Sequence, residues 1–142
     1  MTRRRTPGNQ HQRTRRDHAS ELAEDYVEAV AEIIEQRGVC RVTDLAERVA
    51  VSHVSVNRAV ARLQRDGYLT SERYRPVELT AEGKRLAKLS QKRHGIVYAF
   101  LRALGVSEEA AAIDTEGIEH HVSEETLQVM EAFVAGRRRS PS

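Results

Sequence analysis

No tryptophan occurs in the chain, and two phenylalanines and four tyrosines are its only aromatic side chains besides histidine among 142 residues. A core short of aromatic rings has to be filled by aliphatic groups. Those present are mostly Ala, Val and Leu, a composition that reads as mainly helical. A single cysteine, Cys40, excludes an internal disulfide framework. No apolar run is long enough to span a bilayer. The N-terminal MTRRRTPGNQHQRTRR is basic, yet no apolar stretch follows it, so a secretory signal is not expected. Neither HExxH nor another catalytic motif is found, so an enzyme acting on a small organic substrate is not expected either. What remains is a soluble, cytoplasmic protein with no membrane partner, built as one domain or two small ones.

What is abundant is charge, 31% of residues, and it is segregated although the net is only +2. Residues 1–18 carry a net of +5 and residues 19–36 a net of −6. Residues 37–93 hold 13 basic and six acidic side chains, whereas residues 94–136 hold one Arg and eight acids. Arg137, Arg138 and Arg139 follow. A basic middle between acidic flanks fits a polyanion-binding unit beside a cation-binding one; clustered surface charge without a ligand is the plainer alternative.

Residues 1–18 are polar, Arg-rich and aperiodic, and are expected to form a disordered basic arm. Leu22, Tyr26, Val30, Ile33 and Ile34 recur at helical spacing and Gly38 supplies a stop, which predicts a first helix over residues 18–37. Asp25 and Glu28, at i and i+3, are neighbours on its surface. In residues 39–67, Thr43 is placed to cap a short helix, Val51 closes a turn, and Ser52 caps a second helix reaching Arg65 or Asp66. Leu45, Ala46, Val49, Val51, Val56, Val60 and Leu63 would pack the pair, the pattern of a helix-turn-helix. Tyr68 and Leu69 opposite Val77 and Leu79, with a turn at residues 73–76, predict a short hairpin, the wing. Thr80 caps a long helix ending near Gly105, with a kink or break allowed near Ser90. Ser107 caps the next, and Ser123 caps a last helix to about Ala135. Ile113, Ile118, Leu127, Met130 and Phe133 belong to an apolar set large for so short a region, part of which is expected to be a dimer interface.

The segment EGIEHHVSEET, residues 116–126, carries the sharpest chemistry. Glu116, Glu119 and His120 at i, i+3 and i+4 share one face of a helix. Two carboxylates and an imidazole aimed at one point suit a divalent metal of intermediate hardness, such as manganese or ferrous iron. The alternative is an acidic solvated face that happens to carry histidine.

In order, EDYVEAV, the winged helix-turn-helix, KRHGIVYAFLRALGV and DTEGIEHHVSEET make the chain resemble the manganese transport regulators of the diphtheria-toxin-repressor family, from about Glu24 to Phe133. The resemblance implies a winged helix-turn-helix DNA-binding domain over residues 19–90, a helical metal-binding and dimerisation domain over residues 91–136, and a tail at 137–142. It implies metal ligands at Asp25, Glu28, His94, Glu116, Glu119 and His120, with His121 outside the ligand set. The iron-sensing branch has Met and Cys where this chain has Asp25 and Glu116; oxygen donors there imply manganese, and six ligands imply a binuclear site in each subunit. The implied protein is a manganese-activated repressor of manganese uptake and homeostasis genes. It would act as a homodimer on a palindromic double-stranded DNA operator. Response to another metal such as iron, or a small metallohydrolase, are the alternatives. On DNA, His53, Ser55, Val56 and Asn57 are expected at base edges, Arg58 and Arg62 at phosphates, and Arg73 and Arg75 of the wing against backbone or minor groove.

Overall fold

The computed structural model describes the backbone of residues 7–139 and the side chains of residues 20–137. Six helices and two short strands follow one another as α1 (Pro7–Arg37), α2 (Val42–Val49), α3 (His53–Arg65), β1 (Leu69–Thr70), β2 (Glu78–Leu79), α4 (Ala81–Ala103), α5 (Glu108–Ile118) and α6 (Glu124–Arg139). They form two compact units, residues 1–88 and 89–142. No helix among the described residues is long and apolar enough to cross a membrane.

The first unit is organised by α1. Tyr26, Val27, Val30 and Ile33 recur on one face and are buried with Leu45 and Ala46 of α2, Val56, Val60 and Leu63 of α3, and Leu69 and Val77 of the wing. The helix begins at Pro7, earlier than the periodicity of its apolar face predicts. The expected disordered arm is therefore corrected over residues 7–18, where the backbone is helical; residues 1–6 lie outside the described residues. Proline fits the first turn of a helix.

Capping decides where α2 starts. Thr43 lies inside the helix; the N-cap is Arg41, whose backbone N–H donates to the Asp44 carboxylate at 3.0 Å. Asp44 also accepts from the Arg37 guanidinium at 3.0 Å, fastening α2 to the end of α1. A second ion pair, Arg48 to Glu32, does the same further along. The turn to α3 passes through Ala50 in the left-handed region, φ 55°. Ser52 caps α3 as its sequence position predicts, its hydroxyl accepting from the Ser55 N–H at 3.2 Å.

The wing closes on the same unit. Gly67 (φ 88°) stops α3, its N–H donating to the Gln64 carbonyl while Tyr68 N–H reaches Leu63 O at 2.9 Å, a glycine C-cap. Leu69 pairs with Leu79 and Thr70 with Glu78, antiparallel. Val77 N–H donates to Cys40 O at 2.7 Å, extending the ladder to the segment between α1 and α2. Thr80 caps α4 by accepting from Gly83 N–H at 3.0 Å.

In the second unit α4 continues without the break that Ser90 allowed. Ser107 caps α5 and Ser123 caps α6 through bonds from Ala110 N–H and Thr126 N–H. Val97, Ala111 and Leu127 are buried, and Phe100 meets Phe133 edge-on at 5.5 Å between centroids. Ile113 is 67% exposed, with Leu104, Val129 and Phe133 also exposed, so part of the apolar set faces outward.

Candidate metal centre and nucleic-acid interface

The acidic segment is less regular than its spacing predicts. The helix α5 ends at Ile118, with Glu119 as its C-cap. Glu119 keeps right-handed helical geometry (φ −57°, ψ −30°), and its N–H donates to Thr115 O at 3.0 Å, so it stays one turn above Glu116. His120 lies beyond the helix, in the turn that leads to α6. The three residues expected on one continuous helix are divided: Glu116 lies in α5, Glu119 caps it, and His120 lies in the turn that follows.

Glu119 is the centre of the arrangement. Its side chain is only 2% exposed. One carboxylate oxygen lies 2.9 Å from His94 Nδ1 and the other 3.4 Å from His120 Nε2. A buried carboxylate is costly unless countered by positive charge or hydrogen bonds. Two imidazoles at its two oxygens supply the positive charge when they are protonated. With the imidazoles deprotonated, these donor types suit a divalent first-row cation, whose charge replaces that of the protons. The donor chemistry therefore fits a metal. Arg93 next to His94 donates to Val122 O at 3.1 Å, tying α4 to the turn that carries His120. This positioning contact escaped the sequence reading, since nothing local pairs a side chain with a carbonyl so far along the chain.

Glu116 is exposed on α5, and His121 is exposed as well. In the first unit, Asp25 is exposed and Glu28 half-buried on α1, on the flank of the buried face formed by Tyr26, Val27 and Val30. The structure brings His94, Glu119 and His120 together within the second unit.

The exposed side of α3 carries His53, Ser55, Asn57, Arg58 and Arg62, with Arg65 beyond them. Val56 is corrected: it is 0% exposed, packed in the core with Val60 and Leu63, and cannot meet base edges. Val54, 61% exposed, is the apolar residue on the outer face. The helical repeat that buries Val56, Val60 and Leu63 was the signal for this, because the same side chain cannot serve both faces. In the wing, Arg73 and Arg75 are both exposed. Arg75 lies 3.5 Å from Glu72, and the Arg73 guanidinium stands over the Tyr74 ring, 5.2 Å from its centroid.

Cys40 is fully buried. Burial, and then the negative charge of Asp44, push its thiol up to about 11. It is a packing group rather than a soft metal ligand at neutral pH.

Residues 18–77 match the family described as iron dependent repressor, N-terminal DNA binding domain, and residues 80–142 match iron dependent repressor, metal binding and dimerisation domain. The chain is 46% identical over 119 residues to the transcriptional regulator MntR of Escherichia coli O6:H1, spanning 84% of this chain and 77% of that relative. It is 46% identical over 100 residues to the HTH-type transcriptional regulator MntR of Bacillus subtilis strain 168, spanning 70% of each. A solved manganese-dependent transcriptional repressor in complex with manganese superposes with a TM-score of 0.72 at 26% identity, covering 84% of this chain and 55% of that one. The manganese regulator SloR shares the fold, with a TM-score of 0.70 at 24% identity over 80% of this chain and 53% of that one. The chain thus spans about half the length of these two structures.

Proposed function

The chain belongs to the iron-dependent repressor family, and from that premise we propose that it is a manganese-activated, DNA-binding repressor of manganese uptake and homeostasis genes, acting in the cytoplasm as a homodimer on a palindromic operator. The observation that carries the metal half is the buried Glu119 carboxylate, with His94 and His120 at its two oxygens. The proposed ligand set is Asp25, Glu28, His94, Glu116, Glu119 and His120, serving two ions per subunit. When bound, the cations supply positive charge to four carboxylates that otherwise repel one another. Asp25 and Glu116 are hard oxygen donors, which suit manganese better than sulfur ligands would.

The DNA half rests on the exposed polar face of α3 and the two wing arginines. His53, Ser55 and Asn57 sit at the N-terminal part of a recognition helix, where base edges are read; Arg58, Arg62, Arg73 and Arg75 supply phosphate contacts. Because the proposed ligands come from α1 as well as from the C-terminal unit, cation binding favours one arrangement of the dimer. A dimer reads half-sites about one helical turn, ~34–36 Å, apart. Metal acts as a population shift toward the arrangement that matches them.

The test is a titration of chelator-treated protein against duplexes selected from a randomised pool in manganese. Selection should enrich inverted repeats, manganese should tighten binding at least about tenfold, and chelator should reverse it. Glu119→Gln should keep its helicity and lose about tenfold or more in manganese affinity. Equal DNA affinity in chelator and in manganese would sink the metal-sensing reading.

A further inference from the structure

The wing tip holds a residue whose conformation the local sequence does not favour. Tyr74 has φ 67°, the left-handed region, where glycine or asparagine sits at less cost. The residue is also 87% exposed, so its strained conformation is not rewarded by burial. A strained, exposed aromatic residue in a structure is a pointer to a binding role. Beside it, the Arg73 guanidinium lies over the ring face. Arg75 faces Glu72 at 3.5 Å, so the two wing cations are held differently. A guanidinium held over a ring by cation–π attraction keeps N–H donors free for a phosphate, and the ring restricts the rotamers that a long side chain loses on binding.

We propose that Tyr74 and Arg73 form one preorganised phosphate-gripping unit at the wing tip, whose partner is the sugar-phosphate backbone of duplex DNA. This rests on the DNA-binding reading above and adds Tyr74 to it as a positioning residue. The left-handed backbone presents the ring, the ring orients Arg73, and Arg73 donates to phosphate oxygens. Arg75, already beside a carboxylate, contributes less to affinity than Arg73.

The experiment compares the parent with Tyr74→Phe, Tyr74→Gly, Arg73→Ala and the Tyr74→Gly/Arg73→Ala pair. Each is titrated with a mixed-sequence duplex in manganese at several salt concentrations, and thermal unfolding is followed in parallel. Tyr74→Phe keeps the ring and should bind within about twofold of the parent. Tyr74→Gly removes the strain, so its Tm should be no lower than the parent's, yet its affinity should fall about fivefold. Arg73→Ala should lower the salt slope by about 0.9, the share of one phosphate contact. Combined, the two losses should not add, because they remove one unit. A parent that fails to bind the duplex overturns the DNA-binding reading and this inference with it. A parent that binds while Tyr74→Gly binds equally well, or losses that add fully, overturns this inference alone.

Discussion

Cys40 shows how one residue's environment changes its chemistry. Its thiol has an ordinary value of 9.0 and is raised to about 11, by burial first and by Asp44 second. The folded chain therefore holds a proton that the unfolded chain releases between these values. Stability from this source is fully present below about pH 9 and is lost as pH rises toward about 11. Tyr26, raised above 10.0 by burial, acts in the same direction. Denaturant unfolding across that window should show stability falling with pH in the parent and falling less steeply in Cys40→Ala. The same slope in both proteins would rule out the buried thiol as a source. At neutral pH the native thiol should resist alkylation and react only after unfolding.

At the scale of elements, glycine and alanine stand where helix propensity alone would not put them. Gly83, in the first turn of α4, packs so closely on the wing that an added Cβ would overlap the Tyr68 carbonyl oxygen and press on Leu79. Alanine is the better helix former by about 1 kcal/mol, and overpacking costs about 1–3 kcal/mol. The clash is with backbone that cannot swing aside, so it wins. Gly83→Ala should destabilise by about 1–2 kcal/mol. Ala50 is the converse, an L-residue at φ 55° where α2 ends. Ala50→Gly should stabilise by about 0.5–1 kcal/mol, since the left-handed penalty outweighs the extra entropy of the unfolded chain. Chemical denaturation of the two variants checks both signs; a stabilised Gly83→Ala would mean that the α4–wing contact yields.

For the whole molecule the question is which metal switches it. Asp25 and Glu116 stand where the resemblance to the iron-sensing branch places sulfur ligands. Asp25→Met with Glu116→Cys leaves Glu28, His94, Glu119 and His120 in place and removes two carboxylates. Softer donors move preference away from manganese. In an anaerobic DNA-binding titration the double variant should respond to ferrous iron at least as well as to manganese, while the parent responds better to manganese. Retention of the parent's manganese preference would place selectivity in other residues.

Much of the fold was legible in the sequence because it is set by near neighbours. Ser52, Thr80, Ser107 and Ser123 cap helices through hydroxyls that accept from an N–H three residues on, and Gly67 and Gly105 end helices because they adopt positive φ at little cost. These are local hydrogen bonds and torsions, written in the residues that make them, as is the apolar face of α1. The rest depends on which groups meet across long chain separations. Tertiary packing alone buries Val56 and sets His94 against Glu119. Periodicity says which residues share a face, but packing chooses the face that is covered, and a side chain's partner is fixed only when two distant segments are held against each other.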